Sequence, residues 1–305
     1  MVSVIICSHN PREDYFSRVL AGLRRQTLPV AEWELLLIDS ASTSPLAGLW
    51  DISWHPAAKH IRQEVPGLTH ARLCGIRNSG GELLIFVDDD NLLAPDYLSA
   101  AVELLRTHPH IGAFGGSLKG EFEVPPPAWM QSYLWVLAIR ELKRDYWSNL
   151  SGGSDAVPIG AGLCVQRRVA EDYESKARVN PLRAALDRTG ACLGSGGDID
   201  LAWCAIDLGL GTGRFQALQL THLIPSRRMT RDYVTKVVAG HAASDEIMAS
   251  FRPREGPKAN APEFLRFAWQ MLSGSALDRR MLLAAKRQRK KARMLLSGKL
   301  KSLEL

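Results

Sequence analysis

The chain has no apolar run near the roughly 18 residues that a membrane-spanning helix requires, although 46% of its 305 residues are hydrophobic. That excludes a span and leaves ample material for a core. Cysteine is scarce and scattered: Cys7, Cys74, Cys164, Cys192 and Cys204, with no CxxC pair. An odd set of this kind excludes a regular disulfide framework and a cysteine zinc site, and it suits a reducing, cytoplasmic setting. Internal repeats and low-complexity tracts are missing. No basic stretch precedes the first apolar run, so "MVSVIICSHN" reads as a first strand and not as a signal peptide. Positive charge is also short in most of the chain, despite a net +6. Residues 279–305 hold ten Lys/Arg and one Glu, so the remaining 278 carry 28 basic and 31 acidic groups. A basic body with interleaved aromatics is therefore missing, which disfavours nucleic acid as a partner.

What is present is alternation. Strand patterns at 2–7, 33–38, 60–65 and 83–87 alternate with helical patterns at 14–26, 69–79 and 95–106, the last opened by Pro95. Such alternation predicts an α/β fold, with a Rossmann-like, mostly parallel central sheet flanked by helices. In such sheets ligands bind beyond the carboxyl ends of the strands. Farther on, strands are expected at 111–116, 161–166 and 218–224, and helices at 199–208, 231–248, 263–273 and 277–296. A rigid loop is expected at 123–129 and a break at 251–262. The division expected is a main domain over 1–250, in two halves at 1–116 and 117–250. A helical, basic extension over 251–305 follows.

Asp88, Asp89 and Asp90 stand directly after the apolar run 83–87. Three carboxylates there repel one another unless a cation or a donor-rich ligand joins them. One can hold a divalent cation and a neighbour can accept from a ribose; the plain alternative is a solvated helix cap. Ser8, Asn10 and Asp39 fall at other strand ends and could face the same crevice. Asp39 could accept an N–H of a pyrimidine base, or simply form a turn. Arg72 could bind a diphosphate or hold a carboxylate in place, while Arg77 reads as surface. Gly160 and Gly162, at a strand start, point to close backbone approach to a ligand or to a bulge. Asp198 and Asp200 sit in the first turn of a helix after a glycine loop. Asp198 is the candidate general base, and Asp200 the acceptor-side or loop-orienting residue. His222 could complete a cation site.

"VSVIICSHNPRE", "ELLLIDSAS", "ARLCGIRNSGGELLIFVDDDNLLAPDYL", "GAGLCVQRR" and "GGDIDLAWCAIDLG" occur in that order. As an ordered set over roughly residues 1–245 they resemble a family 2 glycosyltransferase of the GT-A fold. "THLIPSRRMT" is similar to the histidine segment of bacterial members that build surface polysaccharides. The resemblance implies inverting transfer from a nucleoside-diphosphate sugar, assisted by Mn²⁺ or Mg²⁺. It places the base contact at Asp39, the ribose-side carboxylate at Asp89 and the catalytic base at Asp198. The metal ligands become Asp90 and His222. Many members have Glu-Asp where this chain has Gly197-Asp198, which touches acceptor contacts more than the base. No QxxRW-type motif of processive synthases is present, so a single sugar is expected to move to a hydroxyl of a glycan or lipid-linked acceptor. A UDP-sugar is favoured.

The tail "DRRMLLAAKRQRKKARMLL" puts Met281, Leu282, Ala285, Leu295 and Leu296 on one stripe. A basic amphipathic helix at 279–301 is expected to touch an anionic membrane from the cytoplasmic side, or else to pack on the protein. On the membrane reading its removal leaves turnover intact. Two rival functions stay open: a sugar nucleotidyltransferase, disfavoured by "SHNPRED" after strand one, and an inactive nucleotide-sugar-binding scaffold.

Overall fold

The computed structural model describes residues 1–150, 155–188, 194–252 and 270–300. Cys192, most of the expected break at 251–262 and the expected helix at 263–273 up to residue 269 lie outside them. The chain begins with β1 (Val2–Ser8), α1 (Glu13–Arg24), β2 (Trp33–Ser40), β3 (Ala58–Gln63), α2 (Leu68–Asn78) and β4 (Leu83–Val87). Then come β5 (Asn91–Leu93), α3 (Tyr97–Thr107), β6 (Ile111–Phe122), β7 (Tyr146–Ser148), β8 (Leu163–Gln166) and α4 (Arg167–Val179). The series ends with α5 (Gly197–Asp207), β9 (Gly211–Ile224), α6 (Arg231–Phe251) and α7 (Ala276–Leu296). Pro95 precedes the Asp96 cap of α3 and so lies just outside that helix.

One sheet takes the order β3-β2-β1-β4-β8-β6-β9-β5, with β7 also on β9. The strands β1 to β4 are mutually parallel. β8 then runs antiparallel to both β4 and β6, and β5 and β7 run antiparallel to β9. The mostly parallel expectation thus holds for the first half, and the second half is mixed. Parallel neighbours need crossover connections of about a dozen residues or more; α1 lies in one between β1 and β2, and residues 41–57 make one between β2 and β3.

The period of two along β1 sorts the core. Val2, Val4 and Ile6 join Phe16, Val19 and Leu23 of α1 and Leu98 of α3 on one face. Ile5 joins Ala71 and Ile76 of α2, Tyr173 of α4 and Leu201 of α5 on the other. A side chain on Gly75 would collide with Ile5, so glycine lets α2 lie close on β1.

In the tail, the alternative of packing on the protein is met for one face of the helix. Leu277, Met281, Ala285, Gln288 and Ala292 are the buried face of α7. They meet Val234, Val237, Ala243 and Ile247 of α6. Arg280 pairs with Asp232 at 2.8 Å and Arg293 with Glu246 at 2.7 Å. A Ser275–Asp278 capping box starts the helix, and Tyr133 donates to Asp278 at 2.6 Å. Met281 and Ala285 of the expected stripe are thus covered by the protein, Leu282, Leu295 and Leu296 are only partly buried, and a basic outer face remains. No described helix is long and apolar enough to cross a membrane.

Candidate active site

From β1 the chain moves out to β2 and β3, then returns to β4 on the other side of β1. Such a reversal leaves a crevice at the carboxyl ends of the two central strands. A cavity of about 730 Å³ opens there, and Asp88, Asp89, Asp90, Asp198, His222 and Arg228 all line it. The first five are among the site residues expected from the sequence.

The acidic tip is electrostatically divided. Ser8, at the end of β1, donates to Asp89 Oδ2. Burial, and then the adjacent Asp90, push up the Asp88 and Asp89 carboxyls, Asp89 to about 7. Burial opposes ionisation of Asp90 as well, but the guanidinium charges of neighbouring Arg228 and Arg188 work against it, and this carboxyl lies below the usual range. Pairing of β5 with β9 sets Asn91 opposite His222, which brings the imidazole to Asp90. His222 Nε2 lies 3.3 Å from Asp90 Oδ2. Its Nδ1 lies 2.9 Å from the Leu137 carbonyl oxygen, which only accepts. Nδ1 therefore carries the proton and Nε2 a lone pair. Arg228 donates to both groups, from Nη1 to Nε2 at 2.8 Å and from Nη2 to Asp90 Oδ2 at 2.9 Å.

This donor set fits a hard divalent cation. Two atoms bound to one octahedral ion at about 2.1 Å lie roughly 3 Å apart, close to the 3.3 Å between Asp90 Oδ2 and His222 Nε2. A carboxylate oxygen is a ligand that Mn²⁺ and Mg²⁺ take, and an imidazole nitrogen is one that transition metals take, so the mixed pair fits Mn²⁺ better than Mg²⁺. A second group, Asp172, Cys204 and Asp207, is different. Lys176 bridges both of its carboxylates and Arg252 pairs with Asp207, so protein cations already neutralise it.

Across the cavity, Asp198 stands in the first turn of α5. Its Oδ2 accepts the Gly160 N–H at 2.7 Å and its Oδ1 accepts that of Ile199 at 2.9 Å. A Cβ on Gly160 would sit 2.6 Å from Arg72 and 3.3 Å from Asp198, so the close approach needs glycine. Arg72 is buried and pairs with Asp187 Oδ2 at 2.9 Å, an atom that also accepts from Thr69 at 2.9 Å. It holds a carboxylate in place, one of the two roles expected of it. Asp187 Oδ1 accepts the Gly197 N–H at 3.3 Å, and any side chain on Gly197 would collide with that carboxylate. The position where the resembled pattern carries Glu is thus filled by Asp187.

Four expected site residues are placed differently. Asp200 is wholly buried between Arg183 and Arg252, so it joins α5 to the protein and faces no acceptor. Gly162, at φ +69°, packs against Tyr97, whose hydroxyl donates to its carbonyl at 2.6 Å. It belongs to the core, while Gly160 and Ala161 line the cavity. Asn10, at φ +49°, lines a smaller cavity beside this one with Asp89, Asp90 and Arg228, and it ties two strand-end loops: its N–H donates to Ser42 Oγ at 3.0 Å and its Oδ1 accepts from Thr43 at 2.9 Å. Asp39 does not line the cavity; Ser40, Pro66 and Gly67 do. Its carboxylate accepts from Ser42 at 2.8 Å, Leu46 at 3.1 Å and Arg62 at 2.8 Å. Burial acts to raise its pKa, but these donors outweigh it and lower it. Arg77, as expected, is exposed, 3.9 Å from Glu174.

Sequence reasoning did not single out Asp187, Arg188, Arg228 or His241, all on the cavity wall. Arg228 had one signal, its place six residues after His222. The others have no spacing or motif that marks them.

The sequence profile of glycosyl transferase family 2 matches residues 3–166. Glucosyl-dolichyl phosphate glucuronosyltransferase of Haloferax volcanii is 22% identical over 163 residues, 49% of this chain and 51% of that protein. Putative glycosyltransferase EpsH of Bacillus subtilis is 33% identical over 106 residues, 35% of this chain and 30% of that protein. The chain therefore spans about half the length of the first relative and less than a third of the second. Among solved structures, mannosyltransferase PcManGT from Pyrobaculum calidifontis, in complex with GDP-Man and Mn²⁺, has a TM-score of 0.56 at 18% identity. That likeness covers 97% of this chain and 78% of the other. S. aureus TarS 1-349, in complex with UDP, scores 0.51 at 15% identity, over 100% and 94% of the two chains. Likeness at this level establishes the GT-A fold. The profile match reaches over more than half of the sequence, and with it the chain belongs to glycosyl transferase family 2.

Proposed function

We propose that this chain moves one sugar, with inversion, from a nucleoside-diphosphate sugar to a hydroxyl of a glycan or lipid-linked acceptor in polysaccharide biosynthesis. The observation that carries this reading is the single cavity holding the Asp90–His222 pair and the Asp198 carboxylate. Asp198 takes the proton from the acceptor hydroxyl as its oxygen attacks the anomeric carbon. The bond from that carbon to the phosphate oxygen breaks, and its electron pair leaves with the nucleoside diphosphate. The Gly160 amide fixes one Asp198 oxygen and leaves its second lone pair for the proton. Asp90 and His222 would hold Mn²⁺ or Mg²⁺, which when bound supplies positive charge for the diphosphate. Arg188 adds positive charge on the same wall, where the charge of Arg72 is already paired with Asp187.

A UDP-sugar is the favoured donor. Asp39 stands outside the cavity, next in sequence to Ser40 on its wall; a base with an N–H reaches its carboxylate by replacing its side-chain donor Arg62, which is 34% exposed. The mannosyltransferase neighbour was solved with GDP-Man, so both bases belong in the test. A screen of UDP- and GDP-sugars with Mn²⁺ by thermal shift, followed by product analysis, decides the matter. Metal-dependent release of nucleoside diphosphate supports the proposal. Pyrophosphate release would make the chain a nucleotidyltransferase, and donor binding without any turnover would make it a scaffold.

A further inference from the structure

Arg228 sits where the reading above puts a cation. Its two terminal nitrogens reach Asp90 Oδ2 and His222 Nε2 separately, at 2.9 and 2.8 Å. The same two atoms are the ones that lie 3.3 Å apart, facing each other. The guanidinium is mostly buried, with 11% of the side chain exposed. It supplies the one feature a carboxylate and a lone pair need in a buried place, a charged donor to both. The residue rides on a short turn, Ser226–Arg228, between the end of β9 and the start of α6. The turn itself is held, by buried Met229 and by the Ser226 N–H donating to Glu123 at 2.7 Å, but the Arg228 side chain lines both this cavity and a smaller one beside it, so the side chain has space to swing aside.

We infer that Arg228 is an internal competitor of the divalent cation: it holds Asp90 and His222 together in the metal-free protein and has to withdraw before a cation can take both atoms. The inference rests on the reading of those two residues as metal ligands. Arg228 is thereby a positioning residue that sets how readily the site loads. One guanidinium charge gives way to a doubly charged ion, and a diphosphate arriving with that ion favours the exchange. Cation alone is taken up weakly, and cation with nucleotide more strongly.

The test is titration of the full chain with MnCl₂, without nucleotide, following free Mn²⁺ by its paramagnetic resonance signal. Wild type, Arg228→Gln, Arg228→Lys, Asp90→Asn and the Arg228→Gln/Asp90→Asn double variant are compared. Arg228→Gln is expected to bind Mn²⁺ at least about tenfold tighter than wild type, the scale of a lost charge-assisted hydrogen bond. The double variant loses that gain. Arg228→Lys cannot bridge both atoms, so it falls between wild type and Arg228→Gln and carries the test if the Gln variant does not fold. Asp90-dependent binding that neither Arg228 variant strengthens overturns the competitor role and leaves the metal site standing. Binding that is absent throughout, or indifferent to Asp90, overturns both.

Discussion

Asp88, Asp89 and Asp90 follow one buried strand in direct sequence, whereas Asp198 is placed by a relay of separate segments. On the first side, backbone pairing of β1, β4 and β5 with their neighbours sets the carboxylates at the cavity mouth. On the second, the Gly160 amide, the Asp187 carboxylate and Arg72 hold the start of α5. A strand end is positioned by a ladder that tolerates side-chain change. A relay depends on each of its members. The donor side should thus lose function without losing fold, and the acceptor side should often lose both.

The harshest break of that contrast is deletion of residues 279–305. It removes Met281, Ala285 and Ala292 and uncovers Val234, Val237 and Ile247. At about 1.5–3 kcal/mol for each large apolar side chain, the loss rivals the whole stability of a domain. The truncated protein should show no cooperative melting transition. A sharp transition and normal turnover would instead restore the tail to the role of a dispensable appendage.

Asp198→Asn should lower turnover by about 10²–10⁴-fold with donor affinity nearly unchanged. Steady-state rates and a separate donor titration check this, and near-normal turnover would move the base elsewhere. Asp200→Ala leaves Arg183 and Arg252 without their buried partner. It should cost about 3–5 kcal/mol of stability, measured by denaturant unfolding. An acceptor-affinity defect at unchanged stability would return Asp200 to the acceptor surface.

The mildest effect concerns His241, on the same wall. Burial lowers its pKa, against weaker opposing pulls from Asp198 and Asp245. An unfolded histidine takes up a proton below about pH 6.5 that the folded one refuses. Stability should therefore fall as pH drops below that value, by at most about 1.4 kcal/mol per pH unit, with no contribution above it. His241→Gln should flatten this part of the melting-temperature profile. An unchanged slope would assign it to other groups.

The legibility of the sequence divides along the same line. Runs such as 83–87, followed directly by Asp88, announce both a buried strand and what its end carries. The helix of Asp198 could be read because glycines and an apolar pattern bracket it. Asp200 could not be placed, since period alone does not say whether a first-turn carboxylate faces a cavity or two buried arginines. α4 escaped notice: in "RRVAEDYESKARV" the buried residues are only Val169, Ala170 and Tyr173 among charges. The stripe on α7 was visible, but amphipathicity does not name the surface that covers it. Asp187 was invisible because its partners Thr69, Arg72 and Gly197 come from two distant parts of the chain.

The collision of any side chain at Gly197 with Asp187 reaches beyond this one protein. Positions 187 and 197, ten residues apart, share a single space that one carboxylate fills. A glutamate can enter position 197 only where the residue at 187 is already small. The reverse order passes through an overfilled intermediate. In an alignment of descendants the two positions should therefore vary together, and a chain carrying bulk at both should be missing.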